Sequence, residues 1–121
     1  MTAPDPVTLL QWSRETLVAE GLPATQRTRA AALLARQALE QAVIATNAGI
    51  HGAMRHVRGF HTQLLCLPAA TDDTVATETS LAWATLSRTC HHHPYEMAPT
   101  VAEMQHLQAT VERVLTQLIP R

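Results

Sequence analysis

Between Pro23 and Asn47, alanines at 31, 35, 38, 42 and 45 recur at helical spacing. Residues three and four apart share one face of an α-helix, so these side chains form a strip of small groups. Such a strip lets a second helix come close. Leu34, Leu39, Val43 and Ile44 make the rest of the segment apolar over a wide arc. A helix of that kind belongs at the centre of a bundle or at an interface. No stretch of the chain shows strand-like alternation, no internal repeat is visible and glycine is scarce at four residues. The chain is thereby directed to a helical architecture.

The remaining segments are consistent with this. Asp5 is a suitable N-cap for a first helix opening at Pro6 or Val7, with Leu9, Leu10, Trp12, Leu17 and Val18 as its apolar stripe and Gly21 as its end. A second helix runs from Pro23 or Thr25 to about Asn47. A third is expected over residues 53–66, carrying Met54, Val57, Leu64 and Leu65 and stopped by Pro68. Thr71-Asp72-Asp73 is a capping cluster for a fourth helix reaching about Cys90. Thr100 caps a last one, in which Met104, Leu107, Val111, Val114 and Leu118 give the cleanest periodicity in the chain. The expected fold is all-α, an antiparallel bundle of four to five helices. Residues 1–5 form a polar tail, and residues 6–121 form a single domain.

Several function classes are disfavoured. The formal charge is -1, so any anion-binding site must be a local patch and not a whole-protein field. All nine basic residues are arginine. Two cysteines, Cys66 and Cys90, make no disulfide framework and read as small buried groups. There is no signal-peptide pattern at the start and no apolar run of membrane-spanning length, so the expectation is a cytoplasmic chain with no membrane partner. No glycine-rich phosphate loop, Ser-His-Asp pattern or paired-carboxylate motif is present.

Chemistry concentrates in Arg88-Thr-Cys-His-His-His-Pro94. Pro94 cannot occupy a helix interior, so the histidines lie at a helix C-terminus and in the loop after it. Histidine gives and takes protons near neutral pH, and the arginine fork grips phosphate. Arg88 and His93 are therefore a candidate pair for phosphodiester chemistry. Arg88 would stabilise charge on the phosphate, and His93 would serve as general acid or base. Thr89 and His92 are candidate supporting residues, and Glu96 could orient the His93 ring. The spacing alone is a weak signal, because with nine Arg and seven His about one such match arises by chance. Arg55 to His61 has it too. The third helix also carries Arg55, His56, Arg58 and His61, a local basic patch in which Arg55 and Arg58 are candidates for contact with RNA backbone. Cys90 with His91, His92 and His93 is a weaker candidate for metal. Adjacent residues rarely share one ion, and His51, His56, His61 and His106 form no i, i+4 pair. The reading calls for no cofactor and no metal.

Two segments resemble the HEPN superfamily of small helical-bundle domains. Arg29-Ala-Ala-Ala-Leu-Leu-Ala-Arg-Gln-Ala-Leu-Glu40 is similar to the alanine-rich early helix of that family. Leu86 to Thr100 is similar to its signature of arginine, four to six residues, then histidine, and to histidine-rich versions of it. The resemblance implies a metal-independent endoribonuclease site made of Arg88 and His93, usually composite across a homodimer. It implies RNA as substrate and, for toxin members, an antitoxin protein as partner. Other members are inactive and serve as binding domains. This sequence departs from the family where Thr89 follows the arginine, a position commonly held by an amide, acid or histidine. The alternative expectation is a non-catalytic dimerisation or partner-binding bundle, in which the apolar faces of the second and last helices do the binding.

Overall fold

The computed structural model describes residues 4–91 and 97–119. Its five helices are α1 (Pro6–Leu17), α2 (Ala24–Ile50), α3 (Phe60–Cys66), α4 (Asp73–Cys90) and α5 (Val101–Leu118). Short 3₁₀ turns at Gly52–His56 and Leu67–Ala69 flank α3. Among the described residues there is no strand, and no helix is long and apolar enough to cross a membrane.

Local chemistry sets most of the boundaries. The Asp5 carboxylate accepts from the Thr8 backbone N–H, and Asp72 accepts from that of Val75. Thr100 and Glu103 form a reciprocal capping box at the start of α5, with both bonds at 3.1 Å. Each interaction satisfies a first-turn donor that the helix itself leaves unpaired. α2 is the exception. It begins after Pro23 with no side-chain cap and no acid in its first turn.

Helix direction follows from the pairings. Ser13 meets Ala31, and Arg27 meets the Ala19 carbonyl, so α1 and α2 are antiparallel. Arg14 pairs with Glu112, while Val7 faces Ile119 across the same groove, so α1 and α5 are antiparallel. Arg113 pairs with Glu78, and Arg88 lies beside Met97, which makes α4 antiparallel to α5. The four long helices therefore run alternately up and down. α2 packs against α1, α4 and α5. Ala31, Ala35, Ala38 and Ala42 are wholly buried, as the strip of small residues requires, whereas Ala45 falls at the edge of that arc and is exposed. Leu39, Val43, Leu86, Met104, Val111 and Val114 are likewise wholly buried at the centre of the core.

Three expectations need correction. Residues 53–66 are not one helix, because Gly59 takes φ 88° and breaks the segment between the 3₁₀ turn and α3. A left-handed φ is available to glycine at little cost. Within α3 it is Gln63 that turns inward, at 1% exposure, while Leu65 is 79% exposed. Gln63 faces the core because its amide is fully engaged. Its oxygen accepts from Asn47 at 2.8 Å, and its nitrogen donates to the Met54 carbonyl at 2.7 Å. On α1, Leu9, Leu10 and Leu17 are buried, but Trp12 and Val18 lie outside the packed stripe, with Ser13 buried beside it.

Candidate functional site

The last turns of α4 carry Thr85, Arg88 and Thr89, whose i, i+3, i+4 spacing places them on one face. His91 caps the helix, its N–H reaching the Ser87 carbonyl at 3.3 Å. These four residues form one side of a cleft of about 310 Å³. Thr25 and Arg29, one turn apart at the beginning of α2, form a second side. Met97, Ala98 and Pro99, on the segment leading to α5, form a third. The antiparallel pairing of α4 with α2 and α5 is what brings the end of one helix to the starts of the other two.

The hydroxyls have defined duties. Thr85 donates to the Leu81 carbonyl and Thr89 to the Thr85 carbonyl, both at 3.0 Å. Their lone pairs remain to accept, and the Thr85 hydroxyl oxygen lies 3.5 Å from Arg88 Nη2. With both hydroxyl protons given to backbone carbonyls, Thr85 and Thr89 have no donor left for an anion, and Thr85 offers an acceptor to the Arg88 guanidinium. Two arginines and the uncapped N-terminus of α2 make the cleft electropositive. No carboxylate lines it among the described residues, and the ion pairs found there use Arg14, Arg36 and Arg113 instead.

Behind the cleft, burial pushes the Cys90 thiol up, with the charges of Arg36 and Arg29 opposing and that of Glu40 assisting. Cys90 is therefore a neutral packing group and not an activated nucleophile. Burial also raises the Glu40 carboxyl, although Arg36 Nε stands 3.3 Å from Glu40 Oε1.

Arg88 and Thr89 both reach the cleft. His92, His93 and Glu96 lie outside the described residues. Arg55 belongs to the 3₁₀ turn Gly52–His56 and Arg58 to the linker before α3; both are exposed, and neither lines the cleft. His61 instead sets its ring edge-on to Trp83, with centroids 5.8 Å apart. Among the described residues no group of three or more His, Cys, Asp or Glu is placed to hold a metal ion. Arg29 and Thr25 were not singled out as site residues by sequence reasoning, which took Arg29 as part of an alanine-rich packing helix. A signal was present: threonine and arginine at i, i+4 in the opening turns of a helix with neither cap nor acid. No family model, curated protein or solved structure matches the chain.

Proposed function

We propose that this bundle is a HEPN-like, metal-independent endoribonuclease whose active site includes the Arg88 cleft. The observation that carries the reading is the convergence of Arg88, Arg29 and His91 on one electropositive cleft at the end of α4. In the proposed reaction a ribose 2'-oxygen attacks the adjacent phosphorus and the P–O5' bond breaks, leaving a 2',3'-cyclic phosphate. A histidine base removes the 2'-hydroxyl proton, and an acid returns a proton to the departing 5'-oxygen. His93 is assigned this acid–base role and Arg88 the stabilisation of charge on the phosphate. Thr89 and His92 support them, and Arg55 and Arg58 contact RNA backbone further along. The site is completed by a second copy across a homodimer, and an antitoxin protein is the proposed regulatory partner.

A second reading, a partner-binding bundle, cannot use the apolar face of α2 as expected, because that face is buried in the core, and rests instead on an apolar groove of about 630 Å³ between α1 and α5, edged by the exposed Val7 and Ile119. In that reading the chain is a partner-binding bundle without activity.

The test is cleavage of a mixed RNA pool in the presence of a chelator. Arg88→Ala and His93→Ala should each lower the rate by about 10²- to 10⁴-fold. Circular dichroism and gel filtration should be unchanged, since Arg88 is exposed. Cleavage that survives both substitutions, or no cleavage by the intact protein, refutes the nuclease reading.

A further inference from the structure

Arg29 is a charged cleft residue that the proposed cleavage chemistry leaves without a task. It comes from α2, far from Arg88 in sequence, yet both arginines line the same small space. Two like charges in one cleft are unfavourable until an anion enters between them. Thr25 adds a hydroxyl on the Arg29 side, beside the first-turn N–H groups of α2 that no side chain caps. The opposite wall differs in character: Met97, Ala98 and Pro99 present apolar surface, and Met97 is 96% exposed.

Charge and size together select a ligand. The two arginines supply two fixed positive charges. An internal phosphodiester carries a single negative charge, whereas a phosphomonoester carries about -1.5 to -2 at neutral pH. The monoester is the better match, and two planar forks can hold its oxygens from two sides. A volume of about 310 Å³ is at the small end for ligand pockets, which suits one nucleotide and not a longer segment.

We propose that the cleft binds a nucleoside monophosphate group, with its phosphomonoester clamped between Arg29 and Arg88 and its nucleoside laid against Met97 and Pro99. This deepens the nuclease reading, because it uses the same cleft and assigns to it the phosphorylated end of a nucleotide or RNA strand. Thr85 is a positioning residue here, acting through Arg88.

The experiment is calorimetric titration of the intact protein with adenosine 3'-monophosphate, adenosine, and the 3'-methylphosphate diester. The monophosphate should bind at one site per chain and the diester about tenfold more weakly, with no saturation by adenosine. Arg29→Ala should weaken monophosphate binding about ten- to a hundredfold, with Arg29→Lys recovering only part of it, because an ammonium lacks the bidentate fork. Arg14→Ala, which breaks the ion pair with Glu112, should leave binding unchanged. A short RNA with a 3'-phosphate, compared with its 3'-hydroxyl counterpart, separates a strand end from a free mononucleotide as the ligand. If the strand end binds more tightly than adenosine 3'-monophosphate, the ligand is RNA; if it binds equally, the mononucleotide suffices, and both results support the site. No monophosphate binding, equal binding of monoester and diester, or an unaffected Arg29→Ala overturns the proposal. RNA cleavage without monophosphate binding refutes this inference alone. Monophosphate binding without cleavage upholds it and refutes the nuclease reading.

Discussion

Ser13 stands where three helices meet, and its removal should be disproportionately costly for so small a change. Its hydroxyl donates to the Ala31 carbonyl on α2 at 2.6 Å and accepts from Gln108 Nε2 on α5 at 3.0 Å. Ser13 is fully buried, and Gln108 is 2% exposed. Ser13→Ala changes the volume little but deletes both bonds. The Ala31 carbonyl lies inside α2, where the helix ladder also uses it, so its loss is modest. The Gln108 amide has no such reserve and is left as a buried donor without an acceptor. Stranding it costs about 1–3 kcal/mol, and the lost Ser13–Ala31 bond adds about 0.5–1.5 kcal/mol. A total of about 2–3 kcal/mol is expected, equivalent to a fall of about 6–15 °C in Tm for a domain of this size. Removing both partners together is different in kind. Ser13→Ala with Gln108→Met leaves no stranded donor at similar volume, and should recover at least about 1 kcal/mol of the loss. Urea unfolding and calorimetry on the four proteins of the cycle give the coupling directly. A single substitution costing under about 0.5 kcal/mol, or strictly additive losses, would show that the buried bridge does not hold the bundle as argued.

Thr100→Ala removes one half of the capping box and leaves Glu103 without its reciprocal partner; a loss of about 1 kcal/mol is expected in urea unfolding. Ala38→Leu forces a larger group into the wholly buried strip of α2 and should cost about 1–3 kcal/mol, against a change within about 0.5 kcal/mol for Ala45→Leu on the exposed edge. Burial raises the Glu40 carboxyl above its ordinary value of 4.5, more than Arg36 lowers it. The folded state therefore holds that proton more tightly than the unfolded one, and this group's contribution to stability falls as pH rises from 4.5 through the raised folded value. The difference between wild-type and Glu40→Gln stability curves, measured from about pH 4 to pH 7, should show that decline; a flat difference curve contradicts it.

The legible parts of this molecule are those written in short-range chemistry. Asp5, Asp72 and Thr100 each cap the helix that follows, because the interaction spans only three residues. The periodic apolar residues of α5 are buried or half-buried for the same reason: one helical face recurs every three or four positions. Short-range reading failed where a distant partner decided. Gln63 reads as a polar surface residue until Asn47 engages its amide, and Leu65 reads as core until that anchoring turns it outward. Only part of the candidate site could be read in this way. Arg88 and Thr89 stand out in the dense run before Pro94, whereas Arg29 is marked only by Thr25 one turn before it, and nothing local ties that pair to Arg88.

The sequence by itself determined an all-helical chain, the starts of three of its long helices and the alanine strip that lets α2 occupy the centre. Each follows from the geometry of residues within about one turn of one another. Only the tertiary structure decided that Arg29 stands beside Arg88, that Ser13 bridges three helices and that Gln63 is buried. Those placements depend on which face each helix turns towards the others. That choice is set by packing summed over the whole core, and no local pattern contains it.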